Sequence, residues 1–417
     1  MKKKILTIVF FIVLKVGAQI PTFVAIDSVL ATGNYKVALQ LLSKVKPANF
    51  ASNVKTAKIY EQIEEYSKAI IYYEKALRFK DDMFVNISVG KIYQKLDNSK
   101  KAISIFEKVL EENPNNLLLK YHLGKLFLSE RKATKAIDLF NDLIKKDAEN
   151  ANYSYQLARG YALKRKGDLM INSFLDAYRK DKKHIKSIYQ LANSFYLIRK
   201  DDSTNLFIEK GLALLPNHIN LNRLKVNRFY KKKQYAKAIK TLKHLDSIAP
   251  NETYTLNMMA KSYYNLQDYK NAKKYFQKSL KIDRNDYKIY TYLGNVEIEL
   301  DNWRQAMFHY SSALMLGKIA MDDEYYGIAI VHLKQGEKQM ALAQLKRAYA
   351  ENRHNSKVLY QLAILEDALH KDKKKAYRFY KDYVNEFEKK NDKQTNFAKI
   401  RIKEIEKDYF FRGEKLE

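Results

Sequence analysis

Ala238, Ala272 and Ala306 stand 34 residues apart, and each follows an aromatic ring by three residues (Tyr235, Tyr269 and Trp303). The same phrase opens at Tyr35…Ala38 and Tyr66…Ala69, and Ala102, Ala136, Ala341 and Ala376 extend the series. Four residues after each alanine comes a large side chain, such as Phe106, Phe140, Phe276 or Tyr310. Three further on there is often a small one, as at Ala76, Ala177, Ala313 and Ala348. A second series of small residues runs twelve positions ahead of the first: Ala57, Gly90, Gly124, Ala158, Ala192, Ala260, Gly294 and Ala329. Three residues after most of these stands an aromatic, as at Tyr60, Tyr93, Phe127, Tyr161, Phe195 and Tyr263, and Phe229 holds the same place after Val226. A fixed period of this size marks an array of stacked supersecondary units, none of which buries its apolar face alone.

Apolar spacings of 3, 4 and 7 fit a helix and exclude a strand. Each period therefore holds two helices, A and B, of about a dozen residues. Small residues at one level on both helices allow close approach of the axes, and the large residues fill the gap to the next unit. On this reading Gly124 meets Ala136 inside one unit. Proline at positions 114, 216 and 250 ends helix B, since it lacks the amide that the next turn needs. Twelve glycines and 5 prolines are too few for the tight turns of an all-β chain.

These residues resemble the tetratricopeptide repeat family, over residues 19 to 390. The resemblance implies an all-α fold: a right-handed α–α superhelix of about ten to eleven helix–turn–helix repeats. An array grows by stacking, so the 417-residue length does not require several separate cores. Residues 19–49 read as a truncated, divergent first repeat and 50–390 as the solenoid. Met170 and Thr204 replace the helix-B alanine and Val226 replaces the helix-A small residue, which predicts looser packing in the fifth to seventh repeats. Residues 391–417 read as a capping helix and tail. There Ala398, Ile402, Ile405 and Tyr409 form one apolar stripe on an otherwise polar helix.

The first eighteen residues have a different character. Lys2, Lys3 and Lys4 precede the apolar run Ile5 to Leu14, and Val16-Gly17-Ala18 offers small residues ahead of Gln19. This is the layout of a cleavable secretory signal peptide. The run falls well short of the ~20 residues of a spanning helix, and no later stretch is long and apolar enough to span. The absence of cysteine excludes disulfides and a lipoprotein anchor. The expected location is therefore exported, periplasmic or secreted, with no transmembrane span in the mature chain.

No phosphate-cradling glycine loop, zinc-binding H-E-x-x-H or nucleophile elbow occurs. The acidic pairs Asp81-Asp82, Asp201-Asp202 and Asp322-Asp323 lack the spacing of a calcium loop and read as helix N-caps. His122, His309 and His332 read as packing or surface residues. No nucleophile, acid–base pair, metal site or cofactor site is expected, and the chain reads as a non-enzyme.

The family resemblance implies that helix A lines an inner, concave surface where partners bind. One residue after each small helix-A position stand Lys58, Lys91, Lys125, Arg159, Asn193, Asn227, Lys261 and Asn295. Four residues before these positions the series includes Tyr121, Tyr155, Tyr189, Arg223 and Asn257. Asparagine bonds both backbone groups of an extended peptide, lysine and arginine attract carboxylates, and tyrosine adds contact area with a polar tip. Some family members clamp a peptide's C-terminal carboxylate. Arg223, Asn227 and Lys288 match that clamp, but Met258 and Tyr292 replace its other groups, so C-terminal capture is not expected. The expected function is a scaffold or adaptor holding a protein or peptide, with acidic character suggested by the net charge of +30. A Lys-, Asn- and Tyr-rich chain gives the same charge if its lysines are spread evenly over solvated faces. A structural component of an envelope assembly and a binder of an anionic polymer remain open as alternatives. Nucleic acid is disfavoured by the export segment and by the lack of an RNA-reading repeat pattern.

Overall fold

The computed structural model describes residues 23–317, 320–390 and 392–416. The expected signal peptide over 1–18 lies outside the described residues. Every element among the described residues is helical. The first hairpins pair α1 (23–31) with α2 (Tyr35–Ser43), α3 (Phe50–Gln62) with α4 (Tyr66–Leu77), and α5 (Met83–Lys95) with α6 (Ser99–Glu112). Next come α7 (Leu117–Ser129) with α8 (Ala133–Lys146), α9 (Ala151–Leu163) with α10 (Gly167–Lys180), and α11 (Ile185–Leu197) with α12 (Asp201–Leu214). Then follow α13 (Ile219–Lys231) with α14 (Tyr235–Ile248), α15 (Thr253–Asn265) with α16 (Tyr269–Ile282), and α17 (Tyr287–Glu299) with α18 (Trp303–Leu316). The last pairs are α19 (Asp322–Lys334) with α20 (Lys338–Glu351) and α21 (Ser356–Leu369) with α22 (Lys374–Phe387), before a single α23 (Lys393–Phe411). The chain forms two compact units that meet in sequence at Phe207 and Ile208, within α12. That point lies inside the stretch where the sequence departs from the repeat pattern.

One backbone device makes ten of these hairpins. The turn between helices A and B carries a residue with positive φ, for example Asp97 (φ 55), Arg131 (φ 56) and Asp301 (φ 57). The next amide then bonds back across the helix end: Asn98 N–H to the Tyr93 carbonyl at 2.8 Å, Lys132 to Phe127 at 2.8 Å, Asn302 to Glu297 at 2.8 Å. These bonds satisfy helix-end carbonyls in the Schellman manner. Eight of the ten turn residues are not glycine, so each accepts the left-handed strain of an L-residue. The α21–α22 turn departs from this. Its Lys373 amide donates to the Tyr409 hydroxyl of α23 at 2.9 Å, and that hydroxyl donates to Asp372 Oδ1 at 2.8 Å.

Between the helices, ring meets glycine. A Cβ on Gly124 would sit 2.6 Å from Phe140 Cζ, one on Gly90 2.2 Å from Phe106 Cε1, and one on Gly294 2.7 Å from Tyr310 Cε1. The atoms nearest a Gly124 Cβ belong to Phe140 and Leu139, and Ala136, expected to meet Gly124, is fully buried one turn before Phe140 on α8. Small residues on helix A admit the large ring sixteen positions later on helix B. Where the helix-A residue is Val226, its partner is the smaller Leu242, and both are fully buried. Volume is matched, so Val226 does not loosen its repeat. Thr204 is likewise buried and donates its hydroxyl to the Lys200 carbonyl at 2.8 Å.

At the chain end, Ala398, Ile405 and Tyr409 of α23 are buried against Tyr377, Tyr380 and Tyr383, as the stripe predicts. The outer side is less polar than a simple cap requires, because Phe397, Ile400, Phe410 and Phe411 are exposed. Asp82 caps α5 through the amides of Phe84 and Val85. The other two acidic pairs differ from expectation: Asp201-Asp202 and Asp322-Asp323 lie inside the first turns of α12 and α19, where they complement the helix dipole.

Candidate functional site

The candidates from Lys58 to Asn295 each follow a buried helix-A residue, small except at Val226, and a 100° step turns them away from the core; Tyr121, Tyr155, Tyr189, Arg223 and Asn257 stand about one turn before them. In the first unit Lys58, Lys91, Lys125 and Arg159 are exposed, while Asn193, Tyr121, Tyr155 and Tyr189 are half-buried. None of the four cations forms an ion pair among the described residues. Lys58 nevertheless lines a cleft of about 410 Å³ with Glu61 and Glu64, which offset its charge.

The next three cations are not offset in this way. Burial lowers the pKa of the His122 imidazole, and the charges of Lys91 and Lys125 lower it further. Lysines from successive A helices thus lie close enough to act on one ring. Lys125 Nζ lies 5.6 Å from the centre of the Tyr121 ring. Arg159 donates to Gln156 Oε1 at 2.9 Å, and Gln156 Nε2 donates to the Tyr121 hydroxyl at 3.3 Å. Gln156 is a member of this wall that the repeat pattern did not single out. Tyr155 packs against Phe174 and His184, at 5.6 and 5.3 Å between ring centres, and serves more as wall than as contact.

The second unit presents a different surface. Arg223 is bonded by Glu252 of the next repeat. The Tyr254 hydroxyl donates to Asn227 Oδ1 at 2.7 Å. Two of the three clamp-like groups are therefore engaged internally, and the clamp is not assembled. Lys261 Nζ lies 4.6 Å from the Tyr292 ring, which is stacked on Phe276 at 5.2 Å. Asn295 Oδ1 accepts from the Tyr310 hydroxyl at 2.6 Å, and Asn265 Nδ2 donates to the Tyr230 hydroxyl at 3.1 Å. Asn257 is half-buried and its Oδ1 has no hydrogen bond. Burial first, and then nearby Tyr292, pushes up the pKa of Tyr230. Burial and Glu299 do the same for Tyr264. These hydroxyls remain protonated donors at neutral pH. Glu252, Tyr254 and Asn265 had no signal in the sequence, because their partners lie one repeat away.

Among the described residues no three histidine, cysteine or acidic side chains are grouped to hold a metal. No helix among them is long and apolar enough to cross a membrane.

Comparison with known families matches the tetratricopeptide repeat at residues 52–82, 96–159 and 253–286. No curated protein matches the chain. Among solved structures, the C-terminal part of a TPR repeat-containing protein from Cytophaga hutchinsonii is similar at 17% identity and TM-score 0.50, over 60% of this chain and 99% of that one. The APC/C hetero-tetramer Cut9–Hcn1 is similar at 12% identity and TM-score 0.47, over 91% of this chain and 83% of that one. YrrB, described as a TPR protein with an unusual peptide-binding site, is similar at 16% identity and TM-score 0.40, over 46% of this chain and 98% of that one.

Proposed function

Since the chain is a tetratricopeptide repeat protein, and so a protein-interaction scaffold, we propose that the helix-A face of its first unit seats an acidic segment of a protein partner. One observation carries this reading: Lys91, Lys125 and Arg159 stand on successive A helices without a carboxylate partner among the described residues, and two of them act on one imidazole. Like charges in a row disfavour the empty face and favour a ligand that brings carboxylates. Each exposed contact is worth about 0.2–1 kcal/mol. Three together change affinity by up to about a hundredfold, at about 1.4 kcal/mol per tenfold. At the equivalent positions the second unit has Asn227, Lys261 and Asn295, one cation in place of a file of three.

Partners captured by the wild-type chain and by the Lys91→Ala/Lys125→Ala/Arg159→Ala variant are compared at low salt and at about 1 M, where the Debye length falls to about 3 Å. The variant keeps its helicity, loses the partner at low salt and shows a flatter salt response. Equal capture by both proteins at low salt refutes the reading.

The proposed site of action is outside the cytoplasm, in the periplasm or beyond. The support is the basic start, the ten-residue apolar run and the small residues before Gln19. N-terminal sequencing of the native protein is expected to begin at Gln19; a retained Met1 in a cytosolic fraction rejects export.

A further inference from the structure

Two clefts at the same place in the repeat carry opposite charge. The first lies between α6 and the α7–α8 hairpin, has a volume of about 710 Å³ and includes Leu123, Phe127 and Leu139 in its lining. Its two lysines are neutralised by the chain itself: Lys120 bonds Asp142, and Lys135 Nζ meets Glu107 Oε1 at 2.9 Å. The second lies in the α13–α14 hairpin, with a volume of about 580 Å³. Its seven lining residues match seven of the first cleft's ten, three 34-residue periods later; the α6 residues Glu107, Leu110 and Glu111 have no counterpart in its lining. Phe229 stands where Phe127 stood, and Lys237 where Lys135 stood. The remaining chemistry is inverted: Lys225 replaces Leu123, Lys240 replaces Asp138 and His244 replaces Asp142. No carboxylate lines this second cleft. Lys225, Lys237 and Lys240 form no ion pair among the described residues. Lys225 Nζ lies 6.0 Å from the centre of the Phe229 ring.

The α7–α8 cleft shows how this geometry settles its lysines, with carboxylates reaching in from neighbouring turns. The α13–α14 cleft keeps the equivalent lysine and replaces Asp138 and Asp142; Glu209, at the Glu107 position, neither lines it nor pairs with Lys237 among the described residues. We infer that the α13–α14 cleft is a binding site for an organic phosphate, whose phosphate oxygens take the place of those carboxylates and whose carbon skeleton lies against Phe229. A phosphate concentrates charge and acceptor oxygens in one small group, which suits several ammonium point charges around it. The volume is that of a small-molecule site. It is distinct from the helix-A face, since Lys225 and Asn227 flank the buried Val226 on opposite sides of α13.

The test is calorimetric titration of the full chain with ADP, inorganic pyrophosphate and citrate. Both phosphates bind, ADP more tightly, and citrate binds more weakly than pyrophosphate. K237A and K240A each weaken ADP binding by about fivefold, the upper end for one exposed charge contact. K135A, the same position in the internally paired cleft, leaves it unchanged. K240D/H244D, which restores the charge pattern of α7–α8, abolishes binding. F229L, with unchanged helicity, removes the preference for ADP over pyrophosphate. Citrate binding as tightly as pyrophosphate, equal losses in K135A and K237A, or no phosphate binding at millimolar concentration each overturns the assignment.

Discussion

The Tyr310 ring offers a sharp test of how these repeats are packed. It is fully buried between two glycines of neighbouring A helices, Gly294 on α17 and Gly327 on α19. A Cβ built on Gly327 stands 2.2 Å from Tyr310 Cζ and 2.5 Å from Cε1. Carbon atoms in contact prefer about 3.5–4.0 Å, so Gly327→Ala overlaps the ring by more than an ångström. The ring has no retreat. On its other side a Gly294 Cβ position lies 2.7 Å from Cε1, and its hydroxyl is tied to Asn295 Oδ1 at 2.6 Å. Overpacking of this kind costs about 1–3 kcal/mol, and the severity here puts it near the upper end. Alanine regains about 1 kcal/mol over glycine as a helix former. The net loss is about 2 kcal/mol, or a fall in melting temperature of about 4–8 °C for a unit of this size. Thermal melts by circular dichroism read this directly. Gly167→Ala is the control, since nothing lies within 4 Å of its Cβ position, and it leaves the melt unchanged or slightly raised. Tyr310→Leu opens the space that the added methyl needs, so the double variant loses at least 1 kcal/mol less than the sum of the singles. An upward shift in Gly327→Ala, or additive losses in the double variant, refutes ring-in-glycine packing at this level.

Two further outcomes concern charge. His122 titrates below its ordinary value of about 6.5, chiefly through burial, and Lys91→Ala/Lys125→Ala moves it part of the way back in an NMR titration. Because the folded value is depressed, protonation favours the unfolded chain: this contribution to stability is complete above about pH 6.5 and declines as pH falls through it. At the C-terminal end, Arg401 bonds Asp367 through Nε at 2.6 Å and Nη2 at 3.0 Å. Burial pushes the Asp367 carboxyl up, but the bonds and charges of Arg401 and Lys373 outweigh it and hold the value below the usual carboxylate range. Its stabilisation is therefore present above about pH 3.9 and is lost as pH falls through the folded value. Arg401→Ala costs about 1.5–3 kcal/mol at neutral pH and speeds hydrogen exchange in α23; unchanged exchange there shows that the apolar stripe alone holds the helix.

The repeat was legible because every hairpin must rebuild the same interface, so alanine and glycine recur with the period of the stack. What touches what was less legible. The sequence displays Gly124, Ala136 and Phe140 on facing helices, but only the helix crossing decides that the glycine admits the ring. The turns left almost no trace. Residues such as Glu64, Asp97, Arg131 and Lys233 occupy a conformation usually advertised by glycine, and on an exposed corner the side chain that accepts the strain is free to vary. The first-unit cations were found by counting from a small residue, which works because exposure follows helix phase. Arg223 was found the same way, yet Glu252 holds it, and a residue 29 positions downstream is brought near only by stacking. The inverted cleft was present in the sequence as an offset of three periods. It meant nothing until both sets of side chains were seen to line the same gap.

Within each unit, every substantial helix contact is with the next helix in the chain or the next but one. The average loop closed on folding is therefore short, and little chain entropy is spent before contacts form. A hairpin emerging from the ribosome finds its partners among residues already made and has nothing to await from the far end. Damage has the same reach. A substitution in one repeat weakens its own two interfaces, and its effect fades over a few neighbours, as in a one-dimensional lattice. Such a chain has no single keystone: its order is assembled, and lost, one link at a time.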